Sequence, residues 1–470
     1  MINQAYHMNF KKFIGDRNFY KTVFAIAVPI MIQNGITNFV ALLDNIMVGQ
    51  IGTEQMSGVA VVNQLLFVFN LCVFGTLAGP GIFGAQFFGQ GNTEGVRNVF
   101  RFKAMVGAAV LAVGIIVLSF FGDGLISAYL TGDEQSGDRA LTLQSGKEYL
   151  GIMLVGLIPF TATQVYASTL RETNCTVPPM CAGLTAVLVN LVLDWALIFG
   201  KLGLPEMGVR GAALATVIAR FVECAIVIVY THAKSGRNEF VRGVFGSMKV
   251  PRELAVKILI SGLPLAVNEF LWSSGMAFLN QCYSRRGLDV VAATNISSTI
   301  SNLFNVSYIA LGTAVGIIVG QILGSGDLKK AKETDTKLIA FSIAVGVATG
   351  CILAAFSGVF PMFYETTEQV RELASKFIII LGMFVPFHSF MNAAYFTLRS
   401  GGQTYVTLIF DSVSMWVISV PTALLLVKFT DFDITVVFFI CQAVDIIKVT
   451  IGFILLKKGV WIRNIVSEAK

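Results

Sequence analysis

Gln86-Phe87-Phe88-Gly89-Gln90-Gly91-Asn92 and Gln321-Ile322-Leu323-Gly324-Ser325-Gly326-Asp327 are one motif written twice. They stand 235 positions apart, and the same offset brings Pro29 onto Pro264, Asn45 onto Asn280 and Gly52 onto Gly287 without a gap. It also brings Phe69-Asn70 onto Phe304-Asn305 and Gly81 onto Gly316. Further on, Ile158-Pro159-Phe160 pairs with Val385-Pro386-Phe387, and Thr169-Leu170-Arg171 with Thr397-Leu398-Arg399, at an offset of 227 or 228. Chance apolar similarity does not reproduce a set of Gly, Pro, Gln and Asn in register. The chain is therefore a duplication whose two copies run in the same direction.

The sequence between the repeated motifs is strongly apolar. Hydrophobic residues make up 55% of the chain and charged residues 13%, with a mean hydropathy of +0.73. Soluble chains carry roughly 25% charged residues, so most of this surface must face something other than water. A bilayer core about 30 Å thick needs about 20 apolar residues per helix. On that basis the sequence predicts an all-α, polytopic membrane protein with spans at 20–48, 54–82, 97–121, 145–169, 177–200 and 208–231 in the first copy. The second copy has spans at 253–283, 290–319, 335–360, 371–397, 404–427 and 433–456. Pro29, Pro159, Pro264, Pro386 and Pro421 fall inside these spans, where they kink helices. Six spans separate the copies, so the two halves share one orientation. Parallel repeats of this kind are a signature of secondary transporters that bind substrate between repeats.

Lys and Arg positions give the topology. One set of ends and loops carries Lys11, Lys12, Arg17 and Lys21, then Arg97, Arg101 and Lys103. It continues with Lys234, Arg237, Arg242, Lys249 and Arg252, with Lys329, Lys330 and Lys332, and with Lys457, Lys458 and Arg463. The opposite loops carry fewer, among them Lys201, Arg210, Arg285 and Arg286, mixed with Asp133, Glu134, Asp138, Glu365 and Glu368. By the positive-inside rule both termini are expected in the cytoplasm. The expected organisation is a cytoplasmic segment 1–19, a first lobe 20–231, a basic cytoplasmic linker 232–252, a second lobe 253–456 and a cytoplasmic tail 457–470. Met1–Lys21 is polar and basic with no small-residue cleavage site after it, so the first apolar run is expected to be a retained helix.

Several chemistries are not supported. The seven cysteines are scattered without CxxC spacing, so neither a disulfide framework nor a zinc site is expected. His7, His232 and His388 form no cluster in sequence, and packing is the expected role of His388. The Gly-rich loops follow no strand and give no phosphate-binding motif. The net charge of +6 gives no reason to expect nucleic acid. No cofactor, enzymatic activity or obligate protein partner is expected.

Ionisable residues inside membrane spans are costly and mark function by default. The acids are Asp44, Asp194, Glu223, Glu269, Asp411 and Asp445. Asp445 precedes Lys448 by three residues and Glu223 follows Arg220 by three, so each is expected to be neutralised on its own helix. Asp44 and Asp194 fall near the outer ends of two outward-running helices, at similar depth, with Asn190 one turn before Asp194 on the same face. Two carboxylates and an amide oxygen can share a proton or coordinate sodium. Glu269 sits near mid-membrane beside Trp272, a pairing suited to a cationic, aromatic substrate. Asp411 lies in the inner half of its helix and is a second candidate for the same cavity.

These residues resemble the bacterial branch of the multidrug and toxic compound extrusion (MATE) family. The resemblance rests on Ala27-Val28-Pro29, on Leu43-Asp44-Asn45-Ile46-Met47-Val48-Gly49, and on the repeated Gln-x-x-Gly-x-Gly loops. It also rests on Asn190-Leu191-Val192-Leu193-Asp194-Trp195 and on Gly262-Leu263-Pro264 with Asn268-Glu269-Phe270-Leu271-Trp272. It covers nearly the whole chain. The resemblance implies two six-helix lobes that export organic cations across the inner (plasma) membrane in exchange for sodium or protons. It implies a coupling-ion site at Asp44, Asn190 and Asp194, to which Thr216 is carried over, and Glu269 matches an acidic position of the family near the start of the second lobe. The tenth span carries no carboxylate where several relatives have an Asp, which weights coupling toward the first lobe. Pro29 is a candidate hinge. The alternative is a flippase for a lipid-linked saccharide of related architecture; the mainly acidic charge expected within the membrane weighs against it.

Overall fold

The computed structural model describes residues 12–129, 139–364 and 366–467. His7, Lys11, Asp133, Glu134, Asp138 and Glu365 of the sequence argument lie outside that set. Twelve helices long and apolar enough to cross a membrane follow one another, and the described residues contain no strand. They are α1 (Arg17–Gly49), α2 (Thr53–Gly89), α3 (Thr93–Tyr129), α4 (Arg139–Glu172), α5 (Val177–Ile198) and α6 (Val209–Ala233). After the linker come α7 (Arg252–Ser284), α8 (Leu288–Ser325), α9 (Leu328–Ala355), α10 (Glu368–Ser400), α11 (Thr404–Phe429) and α12 (Ile434–Lys458).

Each helix coincides with one predicted span, and several run past it. α2 and α8 continue beyond the apolar stretch into their Gln-x-x-Gly ends, because helix satisfies backbone N–H and C=O groups at the membrane boundary as well as inside it. Pro29, Pro80, Pro159, Pro264 and Pro386 lie within α1, α2, α4, α7 and α10. One face of α3 presents Val113, Ile116, Phe120 and Phe121, all largely exposed. A face of that composition is stable against lipid and not against water.

The helices form two compact units. One comprises Met1–Met31, Ala85–Asn92 and Val256–Lys470; the other comprises Ile32–Gly84 and Thr93–Ala255. The division of α1 therefore falls two residues after Pro29.

In the first unit α10 packs against α8 and α9, and a core forms around Phe377, whose ring stacks on Phe438 at 4.3 Å. At the ends of α2 and α8 the two copies of the repeated motif meet. A Cβ on Gly89 would overlap the backbone of Gln321, and one on Gly324 would overlap the backbone of Gln86. Gly91 and Gly326 then turn the chain with φ of 74° and 85°, left-handed values that glycine adopts without penalty. Gln86 is fully buried: its Nε2 donates to Ser400 O at 2.9 Å and Arg463 O at 3.2 Å, and its Oε1 accepts from Ile465 N at 3.0 Å. The chain after α12 is thus folded onto this unit, with Trp461 buried.

In the second unit α4 and α5 pack on α6, and α3 on α4. Lys103, counted among the loop charges in the sequence, is instead fully buried in α3. It donates to Glu172 at 2.7 Å and to Ser168 and Thr169. The linker after α6 is also docked. Arg101 donates to Val244 O at 2.9 Å and Gly243 O at 3.3 Å, and Phe240 packs on Phe100 at 5.5 Å between ring centres.

Candidate functional site

The second unit brings Asp44 of α1 and Asp194 of α5 face to face. Asp194 is 1% exposed and Asn190 5% exposed. Asp44 Oδ1 and both carboxylate oxygens of Asp194 are buried with no hydrogen-bond donor among the described residues. Buried acceptors are rarely left in that state, because each forfeits its bonds to water. Asn190 Nδ2 donates to Thr216 Oγ1 of α6 at 3.5 Å, and that hydroxyl donates in turn to Ala212 O at 3.0 Å. The amide oxygen of Asn190 therefore points away from Thr216.

Three unmatched carboxylate oxygens and one amide oxygen suit a small monovalent cation or a shared proton. No group of three His, Cys, Asp or Glu residues able to hold a metal occurs among the described residues, and calcium would need six to eight oxygens. Tyr149 of α4 is buried beside the pair, donating to Asn63 Oδ1 at 3.3 Å. Sequence reasoning did not find Tyr149 or Asn63, because neither carries charge and α4 shows no anomaly at that point.

Glu223 is not neutralised by Arg220 alone as expected. It lies in the field of both Arg171 and Arg220. Arg220 donates to Gly156 O at 3.3 Å and covers the ring of Phe160, while Arg171 donates to Gln33 Oε1 at 3.5 Å.

The first unit contains a cavity of about 530 Å³ lined by Glu269 and Trp272 of α7, Asp411 of α11 and residues of α8, α10 and α12. Glu269 and Asp411 both border it. Asp411 Oδ2 accepts from Asn268 Nδ2 at 2.9 Å, and Asn268 Oδ1 accepts from Ser412 Oγ at 2.6 Å. Asp445 pairs with Lys448 at 3.4 Å, as their spacing predicts. His388 is not a packing residue. Its Nε2 lies 3.5 Å from Asp445 Oδ2. Arg399 and Lys448 also line the cavity, so its walls carry charges of both signs and are not mainly acidic.

Three of the helices at this cavity are irregular where they carry its polar groups. Asp411 lies in π-helical turns at Ile409–Val413, followed by further turns at Met415–Ser419. α12 is interrupted at Val444, immediately before Asp445, and His388 follows Pro386 by two residues in α10. Such departures recur where membrane helices line a cavity. The sequence held one unread pointer: the 235-residue offset sets Gln33 opposite Asn268, and each is an amide in its unit's buried polar cluster.

The MatE family model matches residues 29–196 and 264–425. The two stretches begin at the prolines that anchor the repeat. A probable multidrug resistance protein NorM of Thermotoga maritima is 28% identical over 87% of this chain and 86% of its own length. Its namesake in Bacillus subtilis is 24% identical over 87% and 89%. A crystal structure described as MATE in the bent conformation superposes with a TM-score of 0.84 at 20% identity, covering 96% of this chain and 97% of the other.

Proposed function

The chain belongs to the MatE family, and from that premise we propose that it is an antiporter. In this reading it exports organic cations and drug-like compounds from the cell in exchange for Na⁺ or H⁺. It is a multi-span membrane transporter and not an enzyme. The observation that carries the exchange reading is the Asp44–Asp194 pair, with three buried carboxylate oxygens that lack donors. An ion bound there, beside Asn190, whose amide nitrogen donates to Thr216 Oγ1, relieves the mutual repulsion of the carboxylates. Coupling follows if the ion prefers one arrangement of the protein and the substrate the other.

The substrate is assigned to the cavity bordered by Glu269, Trp272 and Asp411. Its volume of about 530 Å³ lies in the range of small-molecule sites. Trp272 offers an aromatic face and Glu269 a carboxylate to an organic cation. Pro29 is the assigned hinge, supported by the division of α1 just after it. The protein is placed in the plasma membrane with both termini cytoplasmic on the distribution of Lys and Arg.

The test is ethidium efflux from proteoliposomes, with sodium and pH gradients imposed separately, for the natural protein, Asp44→Asn and Asp194→Asn. Efflux under one gradient, lost in both variants, supports the reading, and the effective gradient names the ion. If folded protein moves no cationic dye under either gradient, the cation-export reading fails and lipid-linked saccharides are the next substrates to assay.

A further inference from the structure

The chain between α6 and α7 is held to the second unit by one of its sides. Phe240, Val241 and Val244 are buried, and the ring of Phe240 packs on Phe100 of α3. Arg97 Nε donates to Phe240 O at 3.3 Å, Arg101 donates to the carbonyls of Gly243 and Val244, and Asn238 Nδ2 donates to Thr231 O at 3.4 Å. Gly243 turns the chain with φ of 67° between two short 3₁₀ turns, Glu239–Val241 and Val244–Gly246. A segment tied down in this way presents a fixed outer side.

That outer side is both basic and apolar. Lys234, Arg237, Arg242, Lys249 and Arg252 are exposed, against two exposed acids, Glu239 and Glu253. Glu239 accepts from Thr93 Oγ1 at 3.5 Å, and Glu94 at the start of α3 is paired with Arg97 and Arg101. Between Arg242 and Lys249 stand Phe245, 58% exposed, and Met248, 39% exposed. The Phe245 ring stacks on His232 at 6.1 Å between centres and makes a T-shaped contact with Phe100 at 6.5 Å.

Depth decides what meets these side chains. Phe100 lies seven residues into α3, about 10 Å from Thr93 along the helix axis, and His232 is in the last turn of α6. Phe245 therefore stands level with the ends of two membrane spans, where hydrocarbon gives way to head groups. An aromatic ring flanked by cations suits that boundary: the ring goes among acyl chains and the cations meet anionic head groups.

We propose that this linker is a docking site for an anionic phospholipid, with Phe245 and Met248 against its acyl chains and Arg242 and Lys249 at its phosphate. Charge complementarity selects the head group, because a zwitterionic lipid brings an ammonium that the clustered cations repel. The site is separate from the ion pair and the cavity, and it stands or falls independently of the cation-export reading.

The test places the full chain in nanodiscs of phosphatidylcholine and phosphatidylglycerol in equal parts, with p-benzoylphenylalanine in place of Phe245. Lipid adducts formed on illumination are identified by mass spectrometry. They should carry phosphatidylglycerol in roughly tenfold excess over phosphatidylcholine. The same probe in place of Phe120, on the exposed apolar face of α3, should report the bulk ratio. Arg242→Gln combined with Lys249→Gln should return the adducts at 245 to the bulk ratio, with the size-exclusion profile unchanged. No lipid adduct at 245 overturns the proposal, as does an adduct at the bulk ratio without the charge substitutions, or an excess that survives them. Loss of the excess on adding glycerol phosphate, a head group without chains, would reveal a free-phosphate site and overturn the lipid assignment.

Discussion

The ammonium of Lys103 lies 2.7 Å from each carboxylate oxygen of Glu172, with Lys103 fully buried. Gly81 and Gly84 of α2 open the space for the acid: a Cβ on Gly81 would stand 2.8 Å from Glu172 Oε1, and one on Gly84 would overlap Oε2. Removing one partner of such a pair leaves an uncompensated charge and costs about 3–5 kcal/mol, whereas replacing both is often neutral. Lys103→Met should therefore lower the thermal unfolding midpoint in detergent sharply. The double variant with Glu172→Leu should recover most of the loss. A single variant as stable as the natural protein would show that the pair contributes nothing.

The reciprocal contact at Gly89 and Gly324 predicts symmetric damage. Each alanine would press on the backbone of the opposite Gln, at a cost of about 1–3 kcal/mol for overpacking. Gly89→Ala and Gly324→Ala should reduce folded yield to similar extents in size-exclusion profiles. Tolerance of one and not the other would contradict a two-sided contact.

Gln86 predicts a local effect at a distance in sequence. Gln86→Leu removes the acceptor for Ile465 N and the donor to Arg463 O. With a net stabilisation of about 1 kcal/mol per hydrogen bond, amides of 460–467 should exchange with deuterium several-fold to tenfold faster. The amides of α10 should be unaffected. Unchanged exchange in 460–467 would mean that Trp461 alone holds the segment.

Thr216 acts on the proposed ion through Asn190. Thr216→Val removes the hydroxyl that orients the Asn190 amide, worth about 0.5–1.5 kcal/mol, or roughly twofold to tenfold in ion affinity. The ion concentration giving half-maximal efflux should rise while the maximal rate stays the same. A lower maximal rate at unchanged half-saturation would remove Asn190 from the ion site.

The twelve helices were legible because the bilayer demands long apolar runs, and the duplication was legible because Gly, Pro and Gln at turns cannot drift silently. Asp44, Asn190, Asp194, Glu269 and Asp411 stood out as polar residues in apolar surroundings. What stayed hidden depends on how helices face one another. Lys103 lies near the start of α3, among loop cations, and only packing shows that it is buried on Glu172. His388 looks like an isolated ring until α12 delivers Asp445 beside it. The π-helical turns around Asp411 leave no mark in composition, since Phe410, Ser412 and Val413 suit a regular helix equally well.

The unit boundaries described above have a mechanical consequence. The chain passes from one unit to the other at four places: 31/32, 84/85, 92/93 and 255/256. Two are in helix interiors, and each follows a proline by only a few residues, Pro29 in α1 and Pro80 in α2. The third follows the left-handed Gly91, and the fourth is just inside α7. On the proposed hinge reading, a rotation of one unit against the other would be taken up at these four crossings, in α1 and α2 within a few residues of a proline. If that reading holds, Pro29→Ala or Pro80→Ala would stiffen a crossing between the units, whereas shortening a loop within one unit would not.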